Sequence, residues 1–250
     1  TFIMNKISVV IIAKNAEESI SECLKSLNRF DEVILYLNNT TDKTSEIAST
    51  FSNVKIINGD FLGFGPTKNK ASDFARNPWI LSLDSDEMIL DPLYKEINEL
   101  SLDNDHAVYS LKRDNYFLGE QVRHSGWGND RLIRLYHKGT HRFNANMVHE
   151  YIELNSLSEI TKLKNPFKHL AITDINQFLT KVSHYSDIAS NNQKTCSFTI
   201  VIAKSLFAFF RTFILQLGFL DGWRGFVIAV SNFNGKFFRY TKRYINCKKQ

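Results

Sequence analysis

Trp79-Ile-Leu-Ser-Leu-Asp-Ser-Asp-Glu87 is a short apolar run that ends in two aspartates one residue apart. Strand side chains alternate between faces, so residues two apart point the same way. If Trp79–Leu83 is a buried strand, Asp84 and Asp86 leave its C-terminal end together and Ser85 turns aside. Two convergent carboxylates repel one another unless a positive group sits between them. A hard divalent cation, Mg²⁺ or Mn²⁺, meets that need and draws phosphate oxygens toward itself. A solvated acidic turn is the plainer account of the same residues.

Upstream, Ile7–Ala13 is a nearly continuous β-branched run, as in a strand covered on both faces. Asn15–Leu27 follows with helical spacing of Ile20, Cys23, Leu24 and Leu27. Glu32–Leu37 reads as a second strand, Thr44–Phe51 as a helix, Val54–Ile57 as a third strand and Thr67–Ala75 as a further helix. Strands alternating with helices imply parallel, right-handed βαβ units. Ligands of such sheets bind beyond the carboxyl ends of the strands. Lys14-Asn15, Asn38–Asp42, the 61–67 loop and Asp84–Glu87 all fall at those ends.

Downstream the pattern changes. Val108–Arg113, Arg131–Tyr136 and Met147–Leu154 read as strands without intervening helices, which predicts a mixed or antiparallel second half. Asp174–Asn192 returns to helical spacing. The expected layout is an α/β catalytic domain over 1–194, with a nucleotide half (7–105) and an acceptor half (106–194), followed by a helical tail over 195–250.

The 250 residues are 43% hydrophobic and 23% charged, ordinary for a folded chain with a sizeable core. The three cysteines lack C-x-x-C spacing, which argues against a zinc site or disulfide framework and fits a reducing compartment. Ile7–Ala13 is too short for a signal peptide and lacks a small-residue cleavage site.

The net charge of +5 is unevenly placed. From Thr195 onward nine basic residues face one acid, Asp221, so the preceding part is net acidic. Those basic residues are interleaved with aromatics from Phe198 to Tyr244. Lys204 and Arg211 interrupt the apolar run short of the ~20 residues a bilayer span requires. Helices lying on an anionic membrane surface fit this composition; aromatics packed on the catalytic body are the alternative. Basic charge confined to an aromatic tail argues against nucleic-acid binding.

The ordered stretches Ser8-Val-Val-Ile-Ile-Ala-Lys-Asn15, Thr41-Asp-Lys-Thr44, Phe61-Leu-Gly-Phe-Gly-Pro-Thr-Lys-Asn69 and Leu81–Glu87 resemble family 2 glycosyltransferases with a GT-A fold. With Asn115–Gly119, His124–Trp127, Arg131–Tyr136, Val148-His-Glu150 and Phe219–Gly225, the chain is similar to bacterial lipopolysaccharide-core glucosyltransferases of the WaaE/KdtX type. The resemblance implies inverting, metal-dependent transfer of a hexose, glucose from UDP-glucose, to a lipid-linked saccharide such as inner-core heptose. It also implies a peripheral location on the cytoplasmic face of the inner membrane. Another surface glycan as acceptor and a non-catalytic membrane-bound binding module are the alternatives. A nucleotidyltransferase is disfavoured because no glycine-rich basic loop follows Ile7–Ala13.

On this resemblance Ala13, Lys14, Asn15, Asn38, Asp42, Lys68, Asp84, Ser85, Arg131 and His149 are candidates for donor binding. Asp86 leads as metal ligand, with Asp84 near the ribose or reached through water and His169 as a further contact. Glu150 is the candidate base for the acceptor hydroxyl, with Asp130 as the alternative. Glu87 reads as a cap, and Trp127 as a sugar platform or core residue. Leu37 stands where the family carries a base-contacting Asp, so Asn38 or Asn39 takes over that contact.

Overall fold

The computed structural model describes residues 6–147, 150–176, 178–180 and 197–248. Two compact units are present: Thr1–Arg113 with Asp130–His169, and Asp114–Asn129 with Leu170–Gln250.

In the first unit, β1 (Ile7–Ala13), β2 (Val33–Asn38), β3 (Val54–Gly59) and β4 (Trp79–Asp84) pair in parallel in the order β3-β2-β1-β4. Three helices connect them: α1 (Ile20–Ser26), α2 (Thr44–Ser49) and α3 (Phe64–Asp73). Every residue of β1 and β2 is buried. The reason is a double cover. Ile7, Val9 and Ile11 pack with Ile20 and Leu24 of α1, with Leu27 just beyond it, and with Leu93 and Ile97 of α4 (Asp91–Asn98). Val10 and Ile12 pack on the opposite side with Ala71 and Ala75.

Beyond β4 the sheet becomes antiparallel, as the changed pattern predicts. The strand β8 (Asp130–His137) pairs antiparallel with both β4 and β6 (Ala107–Phe117). A short β5 (Glu87–Met88) pairs antiparallel with β9 (Glu159–Ile172), setting Glu87 opposite His169. Among the described residues the sheet has nine strands, with β7 (Glu120–Val122) pairing only with β6.

Two expectations need correction. Met147–Leu154 does not form a strand among its described residues. Only the isolated Phe143–Ile152 bridge remains there. The carbonyls of Asn146 and Met147 instead accept the first amides of α3, from Gly65 and Phe64. Conversely β9 escapes a sequence reading. Its 14 residues bury only Leu163, Phe167 and Ile172, so its charged remainder hides any period of two.

In the second unit, α5 (Phe198–Phe210) runs into a π-helical turn (Arg211–Leu215), then a 3₁₀ turn (Gly218–Asp221) and the long α6 (Gly222–Lys248). The sequence reading breaks the apolar run at Lys204 and Arg211. The structure joins Phe198–Leu215 into an 18-residue helical window of mean hydropathy 1.8, long and apolar enough to cross a membrane by length and composition. A long basic side chain can lay its apolar stem along such a helix, which is why two of them do not end it. The two helices pack as a hairpin through the Phe198–Tyr244, Phe209–Phe226 and Phe213–Phe226 ring contacts. Most of the predicted helix Asp174–Asn192 lies outside the described residues. Cys23 is a buried free thiol, whereas Cys247 is disulfide-bonded, where the sequence reading expects no disulfide framework.

Candidate active site

The carboxyl end of β4 delivers Asp84, the turn Ser85-Asp86 and then Glu87. The two acids of the D-x-D step have different surroundings. Asp84 accepts from the Lys68 ammonium at 2.9 Å on one oxygen and from Arg134 Nη2 at 2.8 Å on the other. Asp86 lies across from His169, whose Nε2 is 3.5 Å from its Oδ2. Both remain partly open to solvent, Ser85 is half-buried between the acids, and Asp86 stands clear of the Lys68–Arg134 clamp.

Glu87, read from sequence as a cap, is completely buried and central. Its carboxylate accepts the Asp84 backbone amide at 2.9 Å and takes Arg134 Nη2 at 2.5 Å. It also faces Arg113 Nη1 at 3.7 Å. Arg113 in turn grips Asp130, with Nε 2.7 Å from Oδ2. At the other end Lys68 reaches Glu150 Oε1 at 2.9 Å. Seven side chains therefore alternate in sign: Asp130, Arg113, Glu87, Arg134, Asp84, Lys68 and Glu150. The two candidate bases are its ends. Lys68 is 1% and Arg134 4% exposed, so these two positive links are inside the protein, whereas Arg113 and the terminal acids Asp130 and Glu150 are each partly exposed.

Electrostatics follow from that chain. Burial opposes ionisation of Asp84, but Lys68 and Arg134 outweigh it and hold the carboxyl well below the usual range. Glu87 is shifted the other way. Burial raises it, and Asp84 and Asp86 add to this against the attraction of Arg134. Burial disfavours the Arg134 charge, yet Glu87 and Asp84 hold the guanidinium above its ordinary range.

The reach of Lys68 depends on the loop after β3. Gly63 has φ +102, a left-handed backbone that favours glycine, and a Cβ on Gly65 would lie 2.0 Å from the Asn144 carbonyl. This close approach ties the start of α3 to the segment that ends in Glu150. The α3 amides are thereby occupied by protein carbonyls.

A second group gathers at the ends of β1 and β2. Asn15, at φ +50, accepts the Thr41 amide at 2.9 Å, and Ala16 N donates to Thr44 Oγ1 at 2.8 Å. Asp42 accepts the Glu17 amide at 3.0 Å, while Glu17 accepts that of Lys43 at 3.0 Å. Partial burial opposes ionisation of Asp42, but bonds from Thr44 and Glu17 outweigh it and keep its carboxyl below the ordinary range. Ala13 and Asn38 are buried, Lys14 is exposed, and Asn39 takes φ +52. Leu37 is a buried core residue.

Arg131 lies apart from both groups. Its guanidinium donates to the carbonyls of Ser110 at 2.8 Å and Leu163 at 2.9 Å, stapling strands together. In the second unit Trp127 packs on Phe117, 6.2 Å between centroids, as part of a small core. His149 lies outside the described residues. Glu87 and Arg134 are the site residues that sequence reasoning underrated. For Lys68 a signal existed: with Ala71, Ser72 and Ala75 it forms an i, i+3, i+4, i+7 stripe of small or buried residues.

The glycosyl transferase family 2 model matches residues 8–158, a span that holds β1 to β8, Lys68, the acids after β4 and Glu150. The chain belongs to this family. It is therefore a nucleotide-sugar glycosyltransferase with a GT-A fold. An uncharacterized glycosyltransferase of Rickettsia typhi is 29% identical over 256 residues, 96% of this chain and 87% of the relative. The lipopolysaccharide core biosynthesis glycosyltransferase LpsC of Rhizobium meliloti is 25% identical over 152 residues, 58% of this chain and 56% of that protein. Among solved structures, S. aureus TarS 1-349 in complex with UDP has a TM-score of 0.45 at 17% identity, covering 98% of this chain and 92% of that one.

Proposed function

We propose that this transferase is an inverting, metal-dependent hexosyltransferase that moves glucose from UDP-glucose to a lipid-linked saccharide, inner-core heptose of lipopolysaccharide or lipooligosaccharide. Its place of work in this reading is the cytoplasmic face of a bacterial inner membrane, which it meets through the basic aromatic tail. The likeness to LpsC supports the lipopolysaccharide acceptor class.

One observation carries the reading: the D-x-D acids are divided between two tasks. Both oxygens of Asp84 are engaged by Lys68 and Arg134, so metal ligation falls to Asp86 and His169. A carboxylate oxygen and an imidazole nitrogen 3.5 Å apart suit Mn²⁺ better than Mg²⁺, whose harder ion would rest on Asp86 and substrate oxygens alone. Among the described residues no group of three metal-ligating side chains occurs. Two protein ligands fit an ion that keeps waters and binds substrate phosphates. Bound there, the cation supplies Lewis acidity toward the departing nucleoside diphosphate.

The chain's own residues do the rest. Glu150 receives the proton of the acceptor hydroxyl, and Lys68 fixes the position of its carboxylate. Asp130 and Glu150 are each ion-paired through one oxygen, to Arg113 and to Lys68; Glu150 is preferred as the base because the late acidic motif of the family resemblance falls there. The laced loops around Asn15, Asn38 and Asp42 form the nucleoside end, with Asn38 and Asn39 in place of the family aspartate. Asp84 organises Lys68 and Arg134 beneath the diphosphate.

A panel of nucleotide sugars, followed by thermal shift and hydrolysis with and without Mn²⁺, tests this reading. UDP-glucose is expected to give the largest shift. Asp86→Ala should abolish metal-stimulated turnover with the fold retained, and full activity in chelator would sink the metal role. Glu150→Gln should lower turnover by ~10²–10⁴-fold with little change in donor binding. An unchanged rate would return the base to Asp130.

A further inference from the structure

The second unit holds a feature that glycosyl transfer does not use. Between α5 and α6 the chain turns through an elbow, 214–226. Seven large apolar side chains there are exposed: Ile214, Leu215, Leu217, Phe219, Leu220, Trp223 and Phe226, each between 42% and 59%. A flexible loop would fold such side chains inward. This one is held so that it cannot.

Asp221 supplies the hold. Its side chain is 5% exposed. It accepts the amides of Arg123 at 3.0 Å and His124 at 3.1 Å, and the Ser125 hydroxyl at 2.7 Å. Ser125 N also donates to the Gln216 carbonyl at 2.9 Å. The two arms of the elbow cross at glycine, where a Cβ on Gly225 would lie 1.8 Å from the Gly218 carbonyl. Leu217 adopts φ +55, a left-handed backbone that L side chains disfavour. Backbone bonds to Ile214 and from Leu220 hold Leu217 in that conformation, and its side chain stays 44% exposed.

We infer that the elbow is a rigid wedge that enters the outer part of one leaflet of an anionic bilayer, with Trp223 at the level of the headgroups. This rests on the anionic membrane partner proposed above and names the part of the tail that penetrates. Charge argues for lipid over protein as the occupant. Asp221 is the sole acid from Thr195 to the end of the sequence, and it is spent inward on the His124 loop. The exposed face of the hairpin thus carries Lys204, Arg211, Lys236 and Lys248 among its apolar side chains with no carboxylate. Basic residues beside Trp, Phe and Leu are the composition of interfacial anchors.

The test uses the full chain with vesicles of equal parts phosphatidylglycerol and phosphatidylcholine, against phosphatidylcholine alone. Acyl-brominated lipid should quench tryptophan emission of the wild type, and Trp223→Phe should lose most of that quenching. Leu220→Asp and, as a second exposed site, Leu215→Asp should each weaken vesicle binding by about tenfold or more. Unchanged thermal unfolding would show that both variants fold. UDP-glucose hydrolysis should be the same in all variants; if none hydrolyses it, the donor assignment fails and the vesicle result still stands. Equal binding and quenching across the set, or no binding by the wild type, overturns the wedge. So does a self-associated species that Leu220→Asp disperses without affecting vesicle binding, because a second copy then covers the elbow.

Discussion

Two carboxylate centres organise this molecule, and they do so with opposite partners. Asp84 and Glu87 are neutralised by ionised side chains, Lys68, Arg134 and Arg113. Asp221 is held mainly by neutral donors, two backbone amides and a hydroxyl. The first arrangement fixes charged groups at the carboxyl end of β4, where the proposed function seats the diphosphate. The second fixes backbone, and its product is a set of apolar side chains that cannot retreat. A carboxylate buried among cations is a device for shaping a field. Buried among amides, it is a device for shaping a loop.

The largest expected effect comes from breaking the charged centre. Arg134→Met removes the link shared by Asp84 and Glu87 and leaves the fully buried Glu87 with the Asp84 amide and the more distant Arg113. Removing one partner of a buried ion pair costs about 3–5 kcal/mol. Urea denaturation of wild type and variant should read a loss in that range, with donor binding lost as well. A loss under about 1 kcal/mol would mean that the two acids find other compensation, and the division of labour between Asp84 and Asp86 would have to be redrawn.

Asp221→Ala ranks next. It removes an acceptor of hydrogen bonds to a charged group, each worth about 1.5–3 kcal/mol, but its donors lie nearer solvent and water can replace part of the loss. A net cost of about 2–3 kcal/mol in thermal unfolding is expected, together with weaker vesicle binding and normal UDP-glucose hydrolysis. That pattern would separate the two centres. Equal damage to hydrolysis and vesicle binding would merge them.

The centres also differ in how far the sequence discloses them. The strands β1, β2 and β4 are legible because burial on both faces makes their residues continuously apolar. The D-x-D step is legible as a motif at a strand end, but Ser85-Asp86 turn away from the strand and give the two acids different partners. Glu87 and Arg134 are not, because a charge surrenders its hydration only when a distant partner arrives, and neither residue's neighbours announce the other. Arg134 sits on a strand of mixed burial, where a charged residue reads as solvent-facing. Arg131, three residues earlier on the same strand, looks identical in sequence yet bonds only carbonyls. The Asp221 latch is half legible: Gly222 and Gly225 mark a tight turn, but its partner loop lies about a hundred residues upstream. Met147–Leu154 shows the reverse failure, a stretch with apolar residues whose Met147 carbonyl goes to α3 and whose Tyr151 carbonyl goes to Asn144, with only an isolated bridge at Ile152.

The smallest effect tests the latch most finely. Ser125 gives Asp221 its hydroxyl bond, and its backbone stands at φ +59. Ser125→Ala removes that bond but leaves the carboxylate its Arg123 and His124 amides, so a loss of about 0.5–1.5 kcal/mol is expected in thermal unfolding. Ser125→Gly removes the same bond and relieves a left-handed backbone that L residues disfavour. The two terms oppose each other, and the glycine variant should lie closer to wild type than the alanine variant. Vesicle binding should be unchanged in both, because the two amides keep the elbow in place. If glycine is the worse of the two, flexibility in the His124 loop matters more than the lost bond, and the latch works by limiting motion.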